Sequence, residues 1–273
     1  MPAATKGVWR DWQLVLPLAL FFVVVSLYRT TDLQAMGLAQ YVRFLGDGFN
    51  LAVLGQTLWL ALKTTAVAIL IGYPLAYLYT LSPRNAQRIL ILVIVLPLLT
   101  SAVVRTFAWV VILGRQGIIN EALLGLGWID SPIKLLYTPA AVVIALAQIE
   151  MPLMVLPIIT ALANIDPNLR QASEALGAGK WRTFLRVTLP LSMPGLLAGC
   201  LLVFAAAASA FVTQTLVGGG QQMFMPFYIY QQAIQANNYP FAATIAMILL
   251  VSVLVVVTLM NVLGRRSKGF VHA

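Results

Sequence analysis

Cysteine and histidine are almost missing from this sequence: Cys200 and His272 are single occurrences. One cysteine permits no intrachain disulfide and no thiolate metal cluster. A single histidine, beside the last residue, leaves no imidazole for catalysis in a core, which excludes an intramembrane Ser–His protease. Charge is scarce too, at 9% of 273 residues, where an ordinary soluble domain carries about 25%. No His/Cys/carboxylate cluster at metal spacing occurs. Gly177-Ala178-Gly179-Lys180-Trp181 has the flavour of a phosphate loop. That motif needs Gly at 174 and Ser or Thr after the Lys, and Glu174 and Trp181 stand there. The chain is expected to hold no ATP, cofactor or metal and to catalyse nothing.

What is abundant is apolar: 61% of residues are hydrophobic and the mean hydropathy is +0.92. This excludes a soluble globular enzyme, a disordered chain and a nucleic-acid-binding domain. The formal charge of +9 is diluted among long apolar runs, where positive residues act as orientation signals. The sequence reads as an all-α integral membrane protein.

A helix needs about 20 apolar residues to cross the hydrocarbon core. Six segments qualify: Gln13–Tyr28, Thr57–Leu81, Ile89–Leu113, Pro139–Leu162, Pro194–Val217 and Phe241–Leu263. The first is short enough for a signal peptide. The nearest small-residue cleavage pattern, Ala35-Met36-Gly37, lies well beyond it, so it reads as an uncleaved helix. With both termini cytoplasmic, the inner side holds Lys6, Arg10, Arg84, Arg88, Arg170, Lys180, Arg182, Arg186, Arg265, Arg266 and Lys268. Arg29, Arg43, Lys63, Arg105, Arg115 and Lys134 remain outside or at outer depths, so eleven basic residues face six. Residues 1–52 form a tail, first helix and outer loop, 53–263 the transmembrane core, and 264–273 a cytoplasmic tail. Ser82–Arg88 reads as a tight inner turn and Gly114–Thr138 as a longer outer connection. Gly218–Pro240 is uncharged yet too polar to span, and Met223–Gln235 within it reads as a short amphipathic outer helix.

Ala163–Met193 is the long cytoplasmic excursion. Asp166 is a natural N-cap, Pro167 suits the first helical position, and Gly177 suits a left-handed stop. Ile165, Leu169, Ala172 and Leu176 recur at helical spacing. The spacing predicts a short amphipathic helix over about 166–177, followed by a basic segment, Lys180–Leu189. Such a helix either docks on a partner or rests on lipid headgroups.

This loop resembles the inner-loop motif of permeases of binding-protein-dependent ABC importers, in which Glu-Ala-Ala precedes a glycine and, further on, Leu-Pro. Registered on Gly177, Gln171-Ala172-Ser173 takes the first place and Val187, Leu189 and Pro190 the last. Gln171 replaces the family's Glu and Ser173 its second Ala, while Glu174 stands close enough to supply the acidic contact. Leu96-Pro97, Val104-Arg105, Trp109, Gly114, Gly117, Asn120, Pro152, Pro157, Pro240 and the segment Val217–Ala243 are similar to the spermidine/putrescine-type permeases. The resemblance implies a type I importer permease of the bacterial inner membrane carrying a polyamine or related amine. It implies a second, different permease subunit, two cytoplasmic ATPases that hold ATP and Mg, and an extracytoplasmic binding protein. Asp166, Gln171, Ala172, Ser173, Glu174, Gly177, Leu189 and Pro190 would then couple to the ATPase. Relatives of similar sequence carry amino acids or phosphonates, and a self-contained six-helix transporter or channel is the rival class.

Two charges fall within spans. Arg105 lies about 12 Å and Glu150 about 16 Å from the outer ends of their helices. They either pair with each other or leave Glu150 facing a translocation path. Gln148 and Gln214 either line that path or bridge helices. The alanines from 205 to 210 read as a close-packing surface. Met223, Phe224 and Tyr228 read as an outer gate or docking surface.

Overall fold

Lipid offers the backbone no hydrogen-bond partner, so apolar runs must satisfy their own amides as helices. The structure, a computed structural model, describes residues 23–27 and 37–266. Among the described residues there is helix and no strand. The elements are α1 (Ala39–Gly46), α2 (Gly48–Leu81), α3 (Arg84–Val95), a 3₁₀ turn (Leu96–Leu99), α4 (Ala102–Leu113) and α5 (Ile118–Gly125). Then come α6 (Pro139–Ile149), α7 (Met151–Ala163), α8 (Pro167–Ala175), α9 (Lys180–Thr183), a π turn (Phe184–Thr188) and α10 (Leu189–Ser209). The last are α11 (Phe211–Gly218), α12 (Met225–Tyr230), a second π turn (Gln231–Gln235) and α13 (Tyr239–Arg266). Four stretches are long and apolar enough to cross a membrane: Gly48–Leu81, Ala102–Gly125, Lys180–Ser209 and Tyr239–Val262. The bent pair Pro139–Ile149 and Met151–Ala163 makes a fifth if counted as one span.

Several expected spans differ in detail. The first, Gln13–Tyr28, lies outside the described residues except for 23–27, as do Lys6, Arg10, Arg29, Lys268 and His272. The second helix begins nine residues before Thr57, at Gly48. The expected Ile89–Leu113 span is broken, because Pro97 sits in a 3₁₀ turn and Thr100 is extended before Ser101 caps α4. The expected Pro139–Leu162 span bends by 46° at Glu150. The expected Pro194–Val217 span stops early, at Ser209, because Ala210 takes an extended ψ of 101°. Its beginning also moves. Helix runs from Lys180 through a π turn into α10, so Pro190 and Pro194 lie within it.

The chain divides into two units, Met1–Thr57 with Met223–Leu254 and Leu58–Gln222 with Val255–Ala273. In the first, Phe44, Val53, Met225, Tyr228, Phe241 and Ile245 form a buried cluster. Thr244 Oγ1 donates to the Ser26 carbonyl at 3.2 Å, and Ser26 Oγ and Tyr41 Oη share a hydrogen bond of 2.7 Å.

In the second unit, the most extensive helix contact is between α7 and α10. Gly195 and Gly199 permit it: a Cβ at Gly199 would stand 2.9 Å from the Met154 carbonyl oxygen, and one at Gly195 would meet Pro157 and Ala161. Small residues let helices approach closely where lipid gives no hydrophobic drive. The close approach therefore falls at these glycines, before the alanine run. Of that run, Ala207 and Ala208 are buried within this chain. Tyr73 Oη and Ser192 Oγ add a 2.7 Å hydrogen bond between α2 and α10.

Candidate functional site

The coupling-loop residues form one compact structure. Asp166 accepts the Asn168 amide at 2.9 Å, which satisfies a donor left free at the start of α8. Pro167 takes the first helical position. At the far end Gly177 has φ +80°, a conformation that costs a side-chain-bearing residue energy. Its amide donates to the Glu174 carbonyl at 2.9 Å, and the Ala178 amide donates to Ser173 at 3.1 Å. This is the double closure of a Schellman stop. Ser173 Oγ and Thr183 Oγ1 share a 3.0 Å hydrogen bond that ties α8 to α9. Thr183 was not among the expected residues, and its burial shows only in the structure.

The loop presents apolar side chains outward. Leu176 is 88% exposed and Trp181 72%, although Trp181 also stacks on Phe184. Gln171 and Glu174 line a cavity of about 510 Å³ with Tyr79, Gln87 and Ile165. Ala172 is exposed. Leu189 packs on the α7–α10 core, and Pro190 continues the helix.

Of the intramembrane polar residues, Arg105 and Gln214 bond to backbone carbonyls and Gln148 to a side chain. At the bend, Pro152 has no amide to give to Gln148, and the Leu153 amide turns to the Glu150 carbonyl at 3.0 Å. That leaves the Ile149 carbonyl without its helical donor. Arg105 Nη1 donates to it at 2.9 Å. Four residues on along the same face of α4, Trp109 Nε1 donates to Gln148 Oε1 at 3.0 Å. Of the two readings left open for Arg105 and Glu150, a direct salt bridge is not made: among the described residues Arg105 forms no ion pair, and its Nε is buried without a partner. Glu150 is half-buried at the bend.

The break at Ala210 is repaired in the same way. Ser209 Oγ donates to the Ala206 carbonyl at 3.2 Å and Gln214 Nε2 to the Ala207 carbonyl at 2.8 Å. Gln214 is fully buried, with Oε1 unpartnered. Gln148 and Gln214 thus bridge and cap helices.

Of the outer residues, Phe224 and Tyr228 are buried in the first unit and Met223 is half-buried against its core. The Met225 amide donates to Thr57 Oγ1 at 2.9 Å, and Tyr228 Oη donates to Asn50 Oδ1 at 2.9 Å. Arg43 lies 4.6 Å from the Phe241 ring centroid. Burial pushes the Tyr228 phenol up, the Arg43 charge pulls it down, and Asp47 raises it. In the connection before α6, buried Asn120 donates to the Gly114 and Ile133 carbonyls and accepts the Ile133 amide at 3.0 Å. Asn120, singled out in the sequence through the family resemblance, thus pins this loop.

Comparison with known proteins matches residues 14–269 to the binding-protein-dependent transport system inner membrane component. The spermidine/putrescine transport system permease protein PotB of Escherichia coli (strain K12) is 36% identical over 206 residues, covering 76% of this chain and 74% of that one. PotB of Haemophilus influenzae is 35% identical over 195 residues, covering 70% and 68%. Among solved structures, a bacterial ABC transporter that imports the acidic polysaccharide alginate superposes with a TM-score of 0.71. It covers 96% of this chain and 98% of its own at 19% identity, a likeness of fold.

Proposed function

Because this chain belongs to the family of binding-protein-dependent transport inner membrane components, we propose that it is the permease subunit of an ATP-driven polyamine importer. It crosses the bacterial inner membrane six times with both termini cytoplasmic, and it forms half of the translocation pathway. A second, different permease subunit forms the other half. Two ATPases, which hold ATP and Mg, drive it from the cytoplasm, and a soluble binding protein delivers the substrate outside. The chain itself is not an enzyme. Support for a polyamine comes from the likeness to PotB.

The observation that carries this reading is the loop from Asp166 to Gly177. A nine-residue helix closed at both ends and braced by Ser173–Thr183 is stiff enough to transmit force, and its exposed Leu176 suits an apolar cleft. Gln171 and Glu174 supply its polar contacts. Closure of the ATPases pulls this helix, and the spans rock to open outward. Glu150, half-buried at the bend and without a direct salt bridge to Arg105, meets the ammonium groups of the substrate in the pathway.

The test is ATP hydrolysis by the reconstituted complex with the binding protein and a panel of amines. Polyamine-loaded binding protein should stimulate hydrolysis in the wild type. Gly177→Asp should abolish transport while the complex still assembles. The bend at Glu150 also suits a self-contained transporter, whose sites use broken helices. Uptake into liposomes by this chain with no ATPase present would establish that reading and overturn the first.

A further inference from the structure

In the second unit a groove of about 610 Å³ lies between α2 and α6, lined by Lys63, Ala66, Val67, Pro139, Val143 and Ile144. Lys63 supplies its charge; every other side chain facing it is apolar. The Lys63 ammonium lies 5.3 Å from the Trp59 ring centroid, and both side chains are exposed. Among the described residues Lys63 has no carboxylate partner. Lys63 shares the groove with Pro139 and Ala140, the first turn of α6, and so lies near the end at which that helix begins. From there its four-carbon stem reaches headgroup depth, where tryptophan also concentrates.

A cation at the end of an apolar groove, with no acid to answer it, complements a molecule that is anionic at one end and hydrocarbon along its length. We propose that this groove is a site for an anionic phospholipid. The phosphate rests on Lys63, beside Trp59, and the acyl chain begins along Ala66, Val67 and Val143. An apolar helix from a second membrane subunit would fill the groove but bury the Lys63 charge without a partner, which is costly. A zwitterionic lipid would offer the same phosphate with a competing ammonium.

The test is native mass spectrometry of the purified protein, with whatever subunits accompany it, against phosphatidylglycerol and phosphatidylcholine. Wild type should retain phosphatidylglycerol more strongly than phosphatidylcholine. Lys63→Gln should weaken phosphatidylglycerol alone by about fivefold, the effect of one basic residue at a membrane surface, and Lys63→Arg should restore it. Ala66→Phe, which fills the groove, should weaken retention of both lipids, with circular dichroism showing that the variant is folded. Equal phosphatidylglycerol retention by wild type and Lys63→Gln overturns the proposal. So does a photo-crosslinker at position 66 that captures protein in place of lipid.

Discussion

The guanidinium of Arg105 holds the carbonyl oxygen of Ile149 at 2.9 Å, the acceptor that the bend at Glu150 strips of its helical donor. A charged side chain at membrane depth thus works on backbone. Removing it leaves a buried carbonyl unsatisfied, and a hydrogen bond from a charged group contributes about 1.5–3 kcal/mol. Arg105→Leu should lower the thermal midpoint of the purified protein accordingly, and Arg105→Gln, which keeps a donor, should lose less. Equal stability of Arg105→Leu and wild type would show that the bend holds without the contact.

Glu150 makes no direct salt bridge to Arg105, whose bond goes to the Ile149 carbonyl, so its removal should affect transport more than folding. We expect Glu150→Gln to weaken half-maximal amine uptake by about tenfold, or 1.4 kcal/mol, with little change in melting. Unchanged uptake would remove Glu150 from the pathway.

The α7–α10 seam predicts a contrast between glycines. Gly195→Ala puts a methyl group against Pro157 and Ala161, whereas Gly55→Ala meets nothing within 4 Å. Overpacking costs about 1–3 kcal/mol. Gly195→Ala should therefore melt earlier and Gly55→Ala should not. Matching melting curves would mean that the seam can widen freely.

Much of this could be read in the letters, and what could be read was local. Asp166, Pro167 and Gly177 each act on backbone within a turn of themselves, so their residue types announce the capped helix. The apolar runs likewise announced spans. The breaks at Pro97 and Ala210 were not read, because hydropathy measures transfer into lipid and is blind to backbone direction; at Glu150 the neighbouring Pro152 gave the one hint of a broken helix. The partners of Arg105 and Gln214 were hidden for a related reason. They are main-chain carbonyls of Ile149 and Ala207, groups that every residue carries alike. Phe224 and Tyr228 suggested a surface, yet aromatic residues at an interface also suit a core.

Tyr228 gives a pH dependence. Burial raises its phenol above the ordinary value of about 10, so folding favours the protonated form. Its contribution is complete below pH 10 and fades as the pH rises beyond that. Tyr228→Phe should cost about 1 kcal/mol through the lost bond to Asn50, and should flatten the decline in stability at alkaline pH. A decline as steep in Tyr228→Phe as in wild type would assign it to another group.

The helix Pro167–Ala175 is nine residues long, shorter than an isolated peptide needs to stay helical in water. Its caps and the Ser173–Thr183 bond hold it folded before anything binds. A partner therefore meets a finished surface, with no ordering entropy to overcome on contact. Association there should be limited by diffusion and orientation, and the strength of the joint should be expressed in how slowly it comes apart.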